Sequence, residues 1–256
     1  MGRIGQTQVL KAWLMSMRFD VDQPELQRTS RGARLVQNGS VLSEMLSKPG
    51  PTHSVFDILA SAMMLSEGNR VGILGFAGGG VVSPLRAMGG RQSLFGVDLD
   101  DAGFKFFEKV SGDWRGEVKF VQSDAVKWLA SQRKGFDVLL EDLSVGRDGD
   151  VFKPSVSIDL LPSLIHSKLK SSGIAIFNLL PSDNCTWTQM LQTVGKPFKY
   201  GLIITFKSFY NKVLILSSNS FTDTPKISRV IRKFLYLIQS SILNDIQVRT
   251  LQIARS

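Results

Sequence analysis

From Val71 onward, short apolar runs alternate with segments in which apolar residues recur every three or four positions. The runs Val71 to Leu74, Ser93 to Val97, Val118 to Val121, Phe136 to Leu140 and Gly173 to Asn178 read as buried strands. Between them, the stretches 81–88, 102–110, 125–132 and 158–169 read as amphipathic helices. Alternation of this kind requires right-handed crossovers and a mostly parallel sheet covered on both faces, so the predicted class is α/β, doubly wound. Two further runs, Tyr200 to Phe206 and Val213 to Ser217, are separated by the polar SFYNK and are expected to pair as an antiparallel hairpin at the sheet edge.

The ends of the chain follow other patterns. In ARLVQNGSVLSEM, Asn38-Gly39 stands between apolar pairs and suits the two positive φ angles of a type I′ turn, which predicts a small β-hairpin over 33–53. A helix is expected over 54–67, ending near Gly68. Residues 1–32 are weakly periodic and read as a poorly ordered arm or a short helix around Val9 to Met17. In the tail, Ile227, Val230, Ile231, Phe234, Leu235, Ile238 and Ile242 form one helical stripe, with Arg229, Arg232 and Lys233 elsewhere around the turn. Such a helix buries its stripe on its own domain or on a second subunit as a homodimer; a basic helix lying on a membrane surface is the alternative. The expected division is an arm at 1–32, a hairpin at 33–53, a main domain at 54–218 and a basic amphipathic helix over 219–256.

Composition narrows the function. The formal charge is +9, which raises the question of a nucleic-acid partner. Its distribution argues against one: residues 1–37 carry +3, residues 38–218 only +2, and residues 219–256 carry +4, with few aromatic residues interleaved at the ends. One cysteine, Cys185, and two histidines, His53 and His166, exclude disulfide scaffolds and structural zinc sites, and no metal is called for. No apolar stretch has transmembrane length, and no secretory signal is recognisable, so a cytoplasmic protein is expected. Asp20 is the first acidic residue, and a basic leader resembling an organelle transit peptide is the alternative.

Four motifs carry candidate chemistry. The first, VGILGFAGGG, runs a buried strand into Gly75, Gly78, Gly79 and Gly80, where missing side chains let the backbone approach a cofactor and aim N–H groups at it. Asp98 in GVDLD ends the next strand eighteen residues past Gly80, suited to accept both hydroxyls of a ribose, or else to stand in solvent before a helix capped by Asp100 or Asp101. In FVQSDAVKWL, Asp124 closes the third strand; it can accept from an adenine amino group, cap the following helix, or do both. In FDVLLEDLSVG, Glu141 and Asp142 end a central strand, where two carboxylates are costly to bury unless they bind something. Asp142 is the leading candidate for contacting an acceptor substrate.

In this order and at these strand ends, the motifs resemble the class I S-adenosylmethionine-dependent methyltransferase superfamily, and within it the spermidine synthase-like branch. The hairpin LVQNGSVLSEM is similar to the small β element, L-x-x-x-G-x-x-Q/S, that aminopropyltransferases carry before a Rossmann-like domain, and DVLLEDLS is similar to their D-V-I-I-x-D-S-S-D-P. The resemblance covers about Ala33 to Ser218. It implies that Gly75, Gly78, Gly79 and Gly80 line the cofactor, that Asp98 binds its ribose, that Asp124 and Ala125 sit at the adenine, and that Asp142 matches the catalytic Asp. Departures are specific: the Asp of the family's G-G-G-D-G-G falls on Gly78, the second Asp of D-S-S-D-P on Val145, and the Tyr-Gln/His-Glu triplet on Phe56, Asp57 and Ile58. A polyamine is a multiple cation and needs several carboxylates, most of which are missing here.

The expected function is therefore methyl transfer from S-adenosylmethionine to a small-molecule or protein acceptor, with Asp142 or Glu141 removing a proton where needed. The alternatives are an aminopropyltransferase using decarboxylated S-adenosylmethionine in polyamine biosynthesis, and a non-catalytic scaffold that keeps the fold.

Overall fold

The computed structural model describes residues 24–37, 39–147, 150–219 and 223–253. The expected leader helix over 9–17 and Asn38 of the expected turn lie outside the described residues. The predicted hairpin is present as β2 (Gly32–Gln37) and β3 (Ser40–Leu46), with Gln37 opposite Ser40 and Gly39 at φ +77°. It is one strand larger than expected: β1 (Glu25–Thr29), from within the stretch read as an arm, pairs antiparallel with β2. Its alternation is nearly all polar or half-buried, which is why it carries no apolar signal.

Helix α1 (Val55–Met63) then leads into β4 (Arg70–Leu74), α2 (Val82–Ala87), β5 (Ser93–Asp98), α3 (Ala102–Ser111), β6 (Val118–Gln122), α4 (Ala125–Ser131) and β7 (Phe136–Glu141). After a short hairpin of β8 (Val145–Arg147) and β9 (Asp150–Phe152), α5 (Ser155–Asp159) and α6 (Leu161–Lys168) run into β10 (Leu169–Leu179). The chain finishes with α7 (Trp187–Gly195), β11 (Tyr200–Phe206), β12 (Lys212–Ser217), α8 (Thr224–Leu237) and β13 (Ile246–Leu251). The main sheet is ordered β13-β11-β12-β10-β7-β4-β5-β6, parallel from β10 to β6 and antiparallel beyond. The α/β doubly wound reading therefore holds. The chain builds outward from β4 to β6 and then returns to add β7 on the other side of β4, and that reversal opens a crevice above the two strand ends.

Strand periodicity explains the two-faced core. Neighbours along one strand point to opposite faces, so Ile73 and Leu140 pack with α1, α2 and α8, while Leu74 and Leu139 pack with α4, α6 and α7. All six residues of β7 are buried, as befits the strand at the centre.

Two expectations change at the C-terminal side. The β11–β12 pair forms antiparallel as predicted, yet it is not the sheet edge: β12 lies beside β10, and β13 covers β11. The tail is not helical throughout. After Leu237, Gln239 takes φ +56°, and Ser240 N–H donates to the Leu235 carbonyl (2.9 Å), which ends α8 and lets the chain return as β13. The α8 stripe of Ile227, Ile231 and Leu235, followed by Ile238 and Ile242, is buried against the domain's own core. Helix α7, unpredicted, is opened by a capping box in which Thr186 and Gln189 satisfy each other's backbone N–H groups. Among the described residues, no helix is long and apolar enough to cross a membrane.

One buried side chain joins distant parts of the chain. Asp57, wholly buried in α1, accepts from Thr52 N–H (2.8 Å), Thr52 Oγ1 (2.8 Å), His53 N–H (3.0 Å) and Ser240 Oγ (2.6 Å). Replacing it removes the acceptor of all four donors, of which Thr52 Oγ1 keeps Ser54 Oγ as a neighbour (2.9 Å), and each hydrogen bond to a charged group is worth about 1.5–3 kcal/mol. Asp57→Ala is expected to lower the urea-unfolding free energy by about 3 kcal/mol or more, with Asp57→Asn in between; a loss below about 1 kcal/mol would show that the junction does not hold the fold.

Candidate active site

Above the reversal lies a cavity of about 620 Å³, walled by the ends of β4, β5 and β7 and roofed by the N-terminal sheet and the 52–56 turn. Gly75 forms its floor at φ +84°; a Cβ there would come within 2.7 Å of the Asp142 carbonyl oxygen, so only glycine lets these two strand ends lie side by side. The loop beyond is tightly tied down. Gly75 and Phe76 N–H groups donate to the Val97 carbonyl (2.9 and 3.1 Å), and the Ala77 N–H donates to Asp98 Oδ2 (2.7 Å). Phe76 turns inward, where it meets Phe104, Phe107 and Phe120 edge-on.

The four loop glycines divide by task. Gly75 and Gly80 line the cavity, and the Gly80 N–H donates to Ser43 Oγ (2.9 Å). Gly78 and Gly79 do not line it. A Cβ on Gly78 would lie 3.1 Å from Met45 and Ser43 of β3, and one on Gly79 would lie 2.6 Å from the Phe76 ring. Their missing side chains make room for the N-terminal sheet and the aromatic cluster.

Asp98 faces the cavity from the end of β5. Each of its oxygens accepts one backbone N–H, Oδ2 from Ala77 and Oδ1 from Leu99 (2.8 Å), which leaves the remaining lone pairs free to accept hydroxyls. Burial pushes its pKa up, and the backbone hydrogen bonds oppose this. Asp124 and Ala125 lie outside the cavity wall; Asp124 Oδ1 caps α4 by accepting from Lys127 N–H (2.8 Å). Of the two readings open for this residue, the cap is the one with a partner in place.

Glu141 and Asp142 are adjacent, and strand alternation sends them opposite ways. Glu141 does not line the cavity. It forms a fully buried ion pair with Lys153 (Oε2 to Nζ, 2.7 Å), both side chains 0% exposed, and Oε1 accepts from Ser157 Oγ (2.7 Å) and Leu143 N–H (3.1 Å). Lys153 Nζ also donates to the Leu143 carbonyl (2.9 Å). Glu141 therefore anchors the loop after β7, and the geometry removes it as a proton acceptor for a substrate.

Asp142 does line the cavity. Its pKa is pushed up to about 7, first by desolvation; Lys153 and the Asn178 hydrogen bond pull it down, while Glu141 and Asp98 push it up. Its Oδ1 accepts from Asn178 Nδ2 (2.7 Å), whose Oδ1 accepts from Asn211 Nδ2 (2.9 Å). A carboxyl poised near neutrality at a cavity wall is suited to take a proton from a weakly acidic nucleophile.

Residues that the four motifs did not include complete the wall. Phe56, Leu180 and Phe209 are apolar; Asn178 and Asn211 are polar; His53, at φ +58°, accepts through Nδ1 from Ser241 N–H (3.2 Å). Asn178 had a signal, as a lone amide closing an apolar strand, whereas Lys153 and Asn211 reach the site from loops that carry none. The carboxylates of Glu44, Asp98, Asp100 and Asp142 face Arg34 as the one Lys or Arg of this wall, on a chain whose overall charge is +9. Of the triplet aligned by resemblance, Phe56 lines the cavity, while Asp57 is spent on the junction described above. Among the described residues no group of three or more His, Cys, Asp and Glu is placed to hold a metal ion.

The fold is that of class I S-adenosylmethionine-dependent methyltransferases and spermidine synthases. Human methyltransferase-like protein 13 in complex with SAH superposes with a TM-score of 0.55 at 16% identity, over 72% of this chain and 90% of that one. Spermidine synthase from Thermotoga maritima superposes with a TM-score of 0.60 at 14% identity, over 81% and 74%. A spermidine synthase bound to the transition state analogue AdoDATO gives 0.59 at 15%, over 81% and 75%. No protein-family model matches the sequence, and no curated protein sequence matches it.

The raised pKa of Asp142 has a consequence for stability. A carboxyl that holds its proton more tightly when folded stabilises the fold most below its unfolded pKa near 4, and that contribution is lost as pH climbs through about 7. Asp142→Asn removes the titration, so its urea-unfolding free energy is expected to rise relative to the parent protein between pH 4 and 8, by up to about 4 kcal/mol. A difference that stays constant over this range would rule out the raised pKa.

Proposed function

We propose that the protein is an S-adenosylmethionine-dependent methyltransferase whose acceptor presents a neutral nucleophile bearing an N–H or O–H. The observation that carries this reading is the pairing, within one cavity, of Asp98 beside the glycine loop with Asp142 across from it. When bound, S-adenosylmethionine supplies a methyl group on a positively charged sulfonium, already activated for transfer. The chain's own residues then have three tasks. Asp98 accepts the ribose hydroxyls with the lone pairs that Ala77 and Leu99 leave free. The carboxylate-rich wall favours a cationic ligand over an anionic one and disfavours phosphate or carboxylate acceptors. Asp142 takes the acceptor's proton, while Phe56, Leu180 and Phe209 exclude water from its surroundings.

These features favour a small-molecule acceptor or a single protein side chain that enters the cavity. The N-terminal sheet over the site and the likeness to spermidine synthase structures support a second reading, an aminopropyltransferase using the decarboxylated cofactor. Against it, Gly78 brings no carboxylate, and Val145, at the family's second Asp position, is 52% exposed and apolar.

Calorimetric titration with S-adenosylmethionine, its decarboxylated form and methylthioadenosine separates these readings. Tightest binding of the carboxylated cofactor, weakened at least about tenfold by Asp98→Ala, is the expected result, as two hydrogen bonds to a charged acceptor are lost. Preference for the decarboxylated form would favour aminopropyl transfer, and absence of binding to all three would leave a scaffold.

A further inference from the structure

Asp142 offers two oxygens, and its surroundings treat them differently. Oδ1 is held by Asn178 Nδ2 at 2.7 Å, whereas Oδ2 has no hydrogen-bond partner among the described residues, in a side chain that lines the cavity. Asn178 closes β10 and is 4% exposed, and Asn211 stands just before β12, the strand paired with β10. The two amides form a hydrogen-bonded chain that runs from Asn211 through Asn178 to Asp142. Asn211 Nδ2 donates to Asn178 Oδ1, so the other end of the Asn178 amide, its Nδ2, must face Asp142.

Reversing the Asn178 amide would break this order at both ends. Its Oδ1 would then face Asp142 Oδ1, two acceptors in contact unless that carboxyl oxygen carried a proton, and its NH₂ would face the NH₂ of Asn211. While Asn178 Nδ2 donates to it, Oδ1 acts as an acceptor. A proton that arrives at Asp142 without breaking that bond is taken by the other oxygen.

We propose that Asn178 and Asn211 are positioning residues that direct proton uptake by Asp142 to Oδ2, the oxygen left open to the cavity. This rests on the reading of Asp142 as the group that takes the acceptor's proton. The step is a proton transfer alone: the acceptor's N–H or O–H bond breaks, its electron pair stays on the acceptor atom, and the proton is bonded to Oδ2. Since the Asn178 hydrogen bond stabilises the charged carboxylate, it pulls the Asp142 pKa down against the push of burial, to about 7. Other charges act on the same carboxyl: Lys153 from the segment after β9, Glu141 from β7 and Asp98 from β5. Arg34, Glu44, His53 and Asp100 stand around the same cavity. None of them touches Oδ1, so the amides make a separable contribution.

Carbon-13 NMR titration of the aspartate carboxyl carbons in the full chain, with the Asp142 signal assigned by its loss in Asp142→Asn, reads this without an acceptor. The midpoint of the parent protein is expected near 7. Asn178→Ala should move it upward by about one pH unit, a tenfold change in proton affinity. Asn211→Ala, at a half-buried site outside the strand, should move it the same way by less, because the Asn178 amide becomes free to turn. The double variant should move it no further than Asn178→Ala, since Asn211 acts only through Asn178. An unchanged midpoint in Asn211→Ala, which also serves if Asn178→Ala fails to fold, overturns the proposal, as do fully additive shifts. If an acceptor is found, the acid limb of kcat/KM should follow the same shifts with the cofactor dissociation constant unchanged. NMR shifts as stated without any matching movement of that limb would uphold the positioning and refute Asp142 as the base.

Discussion

Three carboxylates, on Asp98, Glu141 and Asp142, gather at the ends of β5 and β7, the two parallel strands that flank β4, and the cost of removing them from water governs what is built around them. Each is accommodated differently. Asp98 accepts backbone N–H groups of the glycine loop and its own strand end, which oppose the upward push of burial on its pKa. Glu141 is paired with a buried lysine, an arrangement in which both ions lose hydration and regain it from each other and from Ser157. Asp142 receives one neutral amide and is left near neutrality, with the one unpartnered oxygen of the three turned to the cavity. Structural rigidity and chemical readiness come from the same sheet end, divided by the alternation of side chains along β7.

The N-terminal sheet is bound into this scheme. Ser43 takes the Gly80 N–H, Met45 packs on Gly78, and Gly50 and Lys48 engage Ser83 of α2. The sheet is thus seated on the loop instead of standing apart from it. Its seat is the volume that side chains on Gly78 and Gly80 would fill, which explains a glycine cluster on grounds other than ligand binding.

Much of the fold was legible because one signal, the switch between two-residue and 3.6-residue periodicity, runs unbroken from Val71 to Asn178. The hairpin around Gly39 was legible from turn chemistry. What escaped has physical reasons. β1 has a polar alternation; β13 follows a stripe that is helical up to Leu237 and breaks at Gln239, where no glycine or proline marks the stop. At the site, Asp98 and Asp142 were legible as acids closing apolar strands. Glu141 was misread because adjacency in sequence suggests a shared role, whereas a strand sends neighbours to opposite faces. Asn211 and Lys153 depend on loop geometry that periodicity does not encode.

The Asp57 junction has a meaning for synthesis. Asp57 and Ser240 are separated by 183 residues, and the turn at 52–56 that roofs the cavity is held by that contact and by His53 with Ser241. On the ribosome, the strands from β4 to β10 emerge well before Ser240 leaves the exit tunnel. The floor of the site and the N-terminal sheet seated on it are thus in place before Ser240 and Ser241 can add their contacts to the 52–57 turn. A chain without Ser240 and Ser241 would keep the glycine loop and both facing acids and lose these two ties between the roof of the cavity and the segment after α8.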